Sequence, residues 1–284
     1  MRIFLIITLL IFSLNAKSLF SNNEQAENSK YIGALKNLLI STQKTRGLSN
    51  SYLNGNIEAM LLVYGHRDEM KDAISDMETM PLATDPIIHK RASSISNALI
   101  KLNRKALKRE PTIVFEEYTE QIQQILLLSQ TVSKRGAKDL NPLGRELLNV
   151  MMQTNLPLCE YTGQLRGMGA GIAAKGTITQ EQKAKMFVMI NKITKLSANL
   201  TNTIRDIAAN NKEDCNTLVN KKLDLITKKV SAYLKLAKKE LLKSDNITYN
   251  SDEFFEKGTD LISLYIDVFE MNNKSMIKNS QGWF

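Results

Sequence analysis

Apolar residues recur at intervals of three and four along almost the whole chain, broken only at a few short stretches whose residues start and stop helices. Gly55, Gly136 and Gly176 fall where a left-handed residue is wanted after a helix. Asp85-Pro86 and Asn141-Pro142 pair an N-cap with proline at the first helical position, and Thr179 with Gln182 forms a capping box. The pattern predicts helices over 27–54, 57–80, 85–109, 112–135, 142–175, 179–211, 215–243 and 251–279. Connections this short favour antiparallel neighbours, so the expected fold is all-α, two up-and-down four-helix bundles. Residues 27–136 make the first half, 141–279 the second, and the stretch from Gly136 to Pro142 the link. With 13 Gly, 5 Pro and 6% aromatic residues in 284, a β-sandwich or barrel is disfavoured.

Pro157 interrupts the fifth segment. Its missing amide removes the bond to Gln153, so a kink or break is expected there. Unbroken, that segment would reach about 51 Å, longer than most bundle helices.

Residues 1–16 read as an export signal. Arg2 precedes an apolar run from Ile3 to Leu14, and Leu14-Asn15-Ala16 offers a small residue at a cleavage point. The run is shorter than the about 20 residues a membrane helix needs, although an uncleaved anchor stays open. The expected location is periplasmic or secreted.

The net charge of +9 allows attraction to anions, phosphates or anionic surfaces without choosing among them. The two histidines, His66 and His89, have no evident chemical partners. Without a paired metal-ligand spacing, neither a metal nor another cofactor is expected. Methionines 151, 152, 168, 186 and 189 keep helical spacing and read as core filler rather than copper ligands. Cys159 and Cys215 could pair in an oxidising compartment or remain buried thiols. No catalytic residues are expected: no Ser-His-Asp, Cys-His or paired-carboxylate set appears, and no phosphate-cradling loop follows a strand. Nucleic acid is an improbable partner, since aromatic-interleaved basic patches are lacking.

Two arginines stand where a core should be. In the first helix Ile32, Leu35, Leu39, Thr42, Arg46, Ser49 and Leu53 keep a strict three-four alternation, the seam that faces a bundle core. Asn155, Cys159, Thr162, Arg166, Gly169 and Ala173 repeat it. In both, Thr precedes Arg by four residues and Gly follows it, as Arg46-Gly47-Leu48-Ser49 and Arg166-Gly167-Met168-Gly169. A neighbouring stripe through Leu158, Leu165 and Ile172 is more apolar, so a place on the flank of the buried face stays open for Arg166.

No Asp or Glu lies between Asn28 and Ile57, nor between Tyr161 and Gln180. Glu160, six residues before Arg166, points elsewhere around the helix. Each guanidinium therefore lacks a counter-ion on its own helix. Guanidinium keeps its proton, so burying one unpaired costs several kcal/mol. A carboxylate from a distant helix, water in a polar cavity, or an anion from solution must offset that cost. The planar fork matches a planar oxyanion through two hydrogen bonds, which lysine cannot do. Glycine beside each Arg costs about 1 kcal/mol in a helix interior, but lets a backbone or a ligand approach closely.

At these residues the chain resembles a known family. The stretch from Leu38 to Leu53, centred on Gln43-Lys44-Thr45-Arg46-Gly47-Leu48-Ser49, is similar to the opening motif of nitrate- and nitrite-sensing NIT domains. Glu160-Tyr161-Thr162-Gly163-Gln164-Leu165-Arg166-Gly167-Met168-Gly169-Ala170-Gly171 resembles the start of that family's second half. The resemblance covers about residues 28–279 and implies two four-helix bundles, like those in bacterial antiterminators, chemoreceptors and sensor kinases. It also implies a nitrate or nitrite pocket lined by Arg46 and Arg166, with Thr42, Gly47, Ser49, Thr162, Gly167 and Gly169 beside them. Arg205 is a weaker candidate, off the seam of its helix and next to Asp206.

The leading expectation is an exported sensor module whose ligand bridges both arginines and shifts helix packing. Family members usually carry an output domain or sit between membrane segments, whereas this chain ends after the last helix with Trp283-Phe284. The expected signalling partner is a membrane-bound sensor kinase or chemoreceptor. The alternative is a basic helical scaffold for acidic proteins, lipids or cell-wall polymers. It rests on Lys221, Lys222, Lys228, Lys229, Lys235, Lys238, Lys239 and Lys243, a run that also fits the solvated face of an amphipathic helix.

Overall fold

The computed structural model describes residues 2–210, 216–243 and 246–280. Among them the chain is all-α, with no strand; its single β-bridge joins Thr177 to Asn246. The helices are α1 (Arg2–Leu53), α2 (Ala59–Thr79), α3 (Pro86–Lys105), α4 (Pro111–Gly136), α5 (Pro142–Val150), α6 (Leu156–Lys175), α7 (Gln180–Asn210), α8 (Asn216–Ala237) and α9 (Ser251–Ser280). Short 3-10 turns join α2 to α3, α3 to α4 and α4 to α5.

Several boundaries follow from single residues. The Asp85 carboxylate accepts from the amides of Ile87 and Ile88, with Pro86 as the first residue of α3. The Asn141 side chain accepts from the Gly144 amide and opens α5. Thr179 and Gln182 cap each other's amides ahead of α7, at 2.9 and 3.1 Å. Gly55 and Gly176 take the left-handed conformation expected of them, φ 114° and 78°. Gly136 does not: its φ is −68°, and it packs against the Asn28 side chain instead.

Two expectations about length change. The first helix was expected from residue 27 but runs unbroken from Arg2, because no proline interrupts it before Leu53. At 52 residues it is about 78 Å long. Residues read as the export signal continue the same backbone, and their side chains, like Met1, lie outside the described residues. Among the described residues no helix is long and apolar enough to cross a membrane. The fifth segment stays helical through Pro157 but changes its winding just before it. A π-helical turn, Met151–Asn155, joins α5 to α6, the Leu156 amide donating to the Met151 carbonyl, and so accommodates the missing amide of Pro157 without ending the helix. A second π turn, Lys238–Leu242, ends α8.

Apolar side chains gather in two large clusters and a small third one of Leu48, Ala59 and Val63. The first includes Tyr31, Leu35, Leu39, Met70, Leu99 and Leu128. The second includes Leu158, Leu165, Ile193, Ile226, Phe254 and Tyr265. Helix α1 packs on α2, α4 and α6, while α6 packs on α1, α7 and α9, so α1 and α6 are the central pair. Met151, Met152, Met186 and Met189 are core residues, and Met168 is partly buried beside them. All the lysines of the basic run are exposed except Lys222, which is half-buried and pairs with Asp267.

Candidate functional site

The contact between α1 and α6 is made by glycine. A Cβ placed on Gly167 would lie 2.9 Å from the Gly47 Cα, and one on Gly47 would lie 3.2 Å from the Gly167 Cα. Only hydrogen at both positions lets the backbones touch. Gly163 and Gly171, one turn to either side of Gly167, face Gln43 and Asn50 of α1 just as closely. The Asn50 side chain donates to the Gly167 carbonyl at 2.9 Å, tying the crossing together.

This contact places the two arginines, each one residue before its glycine, in related surroundings. The Arg46 guanidinium lies over the Phe115 ring at 4.8 Å and donates to Thr119 Oγ1 at 2.9 Å. The Arg166 guanidinium lies over the Phe255 ring at 4.5 Å and donates to Thr259 Oγ1 at 2.9 Å. Each threonine passes its own proton to the carbonyl of that phenylalanine, so its oxygen is fixed as an acceptor. The partners come from α4 and α9. They are carried by Phe115-Glu116-Glu117-Tyr118-Thr119 and Phe255-Glu256-Lys257-Gly258-Thr259, a repeated Phe-Glu-x-x-Thr that the helical periodicity of the arginine seams does not single out.

The halves differ in one decisive respect. Arg46 is not free of counter-ions, as its own helix had suggested. Glu160 reaches across from α6 and accepts from Arg46 Nη1 at 2.6 Å and Nη2 at 3.3 Å. The same carboxylate accepts from Gln43 Nε2 and Gln164 Nε2, both at 2.7 Å, so its acceptor sites are filled. Glu160 does point away from Arg166 around its own helix; what lies in that direction is α1. Ile40 precedes Arg46 by the same six residues and supplies no charge in return. Arg46 and Glu160 are both buried, at 0% and 1% exposure, so their pairing is a condition of burial.

Arg166 lies at 1% exposure, fully buried rather than flanking the core. Its Nε and Nη2 have no hydrogen-bond partner, and among the described residues no carboxylate pairs with it. Burial pushes its guanidinium down to about 10, and the nearby Arg46 charge pushes the same way, yet it stays charged at neutral pH. Gly258 brings α9 against it: a Cβ there would sit 2.8 Å from Arg166 Cγ and 2.7 Å from the Tyr233 hydroxyl. The Tyr233 hydroxyl is buried and makes no hydrogen bond, whereas the equally buried Tyr265 and Thr162 hydroxyls face one another and Ser49 faces Tyr118. Burial holds Tyr233 and Tyr265 well above their ordinary titration range, so both remain donors.

The remaining expected site residues divide. Thr42 is buried, but its hydroxyl donates to the Leu38 carbonyl at 2.7 Å and is spent on its own helix. Gly47 and Gly167 serve the crossing, and Gly169 leaves room for the Phe254 ring. Arg205 lies at the α7–α8 surface, paired with Asp224 at 2.6 Å and remote in role from the buried arginines. His66 is half-buried and contacts Glu69 at 2.9 Å, whereas His89 is exposed. Among the described residues no group of His, Cys, Asp and Glu could hold a metal. Burial pushes the Cys159 thiol up to about 12, so it is inert; Cys215 lies outside the described residues.

Fold and site together define an all-α protein with buried cationic side chains at the contact of its two central helices. No protein-family model matches the chain, and no curated protein matches it. Among solved structures it is similar to the NasR transcription antiterminator, at a TM-score of 0.58 and 11% identity. That likeness covers 96% of this chain and 74% of the other, and at such identity it shows the fold.

Proposed function

We propose that the chain is an exported, non-catalytic sensor module that binds one small oxyanion, nitrate or nitrite, at Arg166. A buried guanidinium with two unpartnered N–H groups carries this reading. Such a group stabilises an anion more than a surface arginine does, because water no longer screens the pair. Two parallel N–H donors suit a planar oxyanion. The Tyr233 hydroxyl, which shares the Gly258 contact with Arg166, is the natural further donor. The resemblance of both Arg-Gly motifs to nitrate- and nitrite-sensing domains names the anion, and the likeness to an antiterminator fold is consistent with a regulatory role.

The ligand need not bridge the two arginines, because Glu160 already holds Arg46. Binding at Arg166 would instead neutralise the charge that repels Arg46 across the α1–α6 contact. The packing of the two helices would then shift, for a membrane-bound kinase or chemoreceptor to read. The test is a thermal-shift series of nitrate, nitrite and other anions in chloride-free buffer. A hundredfold excess over Kd stabilises by about 2.7 kcal/mol. Selective stabilisation by nitrate or nitrite supports the reading, and an unchanged transition in all anions retires it.

A further inference from the structure

Three side chains that carry charge at neutral pH are fully buried together at the α1–α6 contact: Arg46, Arg166 and Glu160. Lys36, the other buried cation of α1, is matched by Glu270 and contributes nothing net. Among the fully buried side chains, two positive charges and one negative leave one positive charge that solvent does not screen; Arg67 of α2, half-buried over the Tyr64 ring, is not one of them. We propose that Glu160 sets the charge selectivity of the site, by holding its net charge at +1 so that it accepts a monoanion and rejects a dianion. This deepens the proposed function and rests on it.

A monoanion on Arg166 brings the buried group to neutrality. A dianion would leave one uncompensated negative charge in the interior, beside a Glu160 carboxylate that has no exit to solvent. Glu160 cannot easily yield, since four donors from Arg46, Gln43 and Gln164 hold both its oxygens. Nor can the ligand take its place on Arg46 without stripping those donors. The carboxylate therefore acts on Arg166 at a distance, through charge, while its hydrogen bonds serve Arg46. The non-charged Ile40 at the corresponding position of α1 makes the arrangement one-sided, so a single anion suffices.

Charge can be varied while shape is kept. Glu160→Gln raises the site to +2, Arg46→Gln lowers it to zero, and the double substitution returns it to +1. Nitrate affinity should rise about tenfold or more in Glu160→Gln. It should fall in Arg46→Gln and come back to the wild-type value in the double variant. Sulfate should displace nitrate from Glu160→Gln but not from the wild type or the double variant. If Glu160→Gln does not fold, the double variant carries the test: nitrate binding with sulfate excluded supports the assignment, and loss of nitrate binding overturns it. Equal nitrate affinity in wild type and Glu160→Gln, or sulfate excluded from both, also overturns it. A wild type that binds nitrate and sulfate alike removes the charge selection alone, while one that binds no monoanion removes the proposed function with it.

Discussion

Gly47 and Gly167 face one another across the α1–α6 contact, so closely that a Cβ on Gly167 would stand 2.9 Å from the Gly47 Cα. The obstacle is backbone, which cannot rotate away as a side chain could. Gly167→Ala should therefore destabilise the fold by about 1–3 kcal/mol, the cost of overpacking a core. Gly65, in the interior of α2 with nothing within 4 Å of a Cβ, is the control. Gly65→Ala should stabilise by about 0.5–1 kcal/mol through helix propensity. Urea unfolding of the two variants gives opposite signs if the close approach is real.

The Glu160–Arg46 pair should be costly to break from one side. Glu160→Ala leaves a guanidinium buried against Phe115 with only Thr119 as a partner, and about 3–5 kcal/mol of stability should be lost. Replacing both residues with apolar side chains should cost less than either single change. A double-mutant cycle by denaturant unfolding measures the difference, and additive losses would show that the pair does not interact.

Arg166 should behave in the opposite way. With no carboxylate beside it, Arg166→Met removes an unpaired buried charge and should raise anion-free stability by about 1–4 kcal/mol. Calorimetric melting in chloride-free buffer checks this, and a variant less stable than wild type would mean the charge is already compensated.

His66 gives a pH dependence whose sign follows from burial. Desolvation lowers its folded-state pKa below the ordinary 6.5, with Lys44 pressing the same way and Glu69 opposing. The unfolded chain then binds the proton more readily, so stability falls as pH drops through about 6.5 and levels off below the folded-state value. Denaturant midpoints between pH 7.5 and 5 should decline less in His66→Gln than in wild type. Equal slopes would remove His66 from the account.

Much of this arrangement was legible in the chain because its signals are local. A cap such as Asp85, a left-handed Gly176 or the irregular turn ahead of Pro157 depends on residues a few places apart. The two Arg-Gly motifs were legible for the same reason, since an arginine on an apolar seam conflicts with its own helix. The role of Glu160 is not legible in this way, because helical spacing tells only which residues share a face of one helix. It says nothing of which neighbour that face meets. Phe115, Thr119, Phe255 and Thr259 lie far from the arginines in sequence, and only their repeated Phe-Glu-x-x-Thr pattern could have paired them beforehand. Tyr233 and Gly258 carried no such signal: one reads as a core aromatic and the other as an isolated helical glycine.

The central claim is that a solitary buried arginine holds one small anion. Isothermal titration of nitrate into the wild type, Arg166→Met and Arg166→Lys, in chloride-free buffer, tests it most directly. One nitrate per chain on the wild type, no heat with Arg166→Met, and markedly weaker binding with Arg166→Lys is the predicted outcome. Nitrate bound with the same affinity by folded Arg166→Met, or no binding by folded wild type, would contradict it.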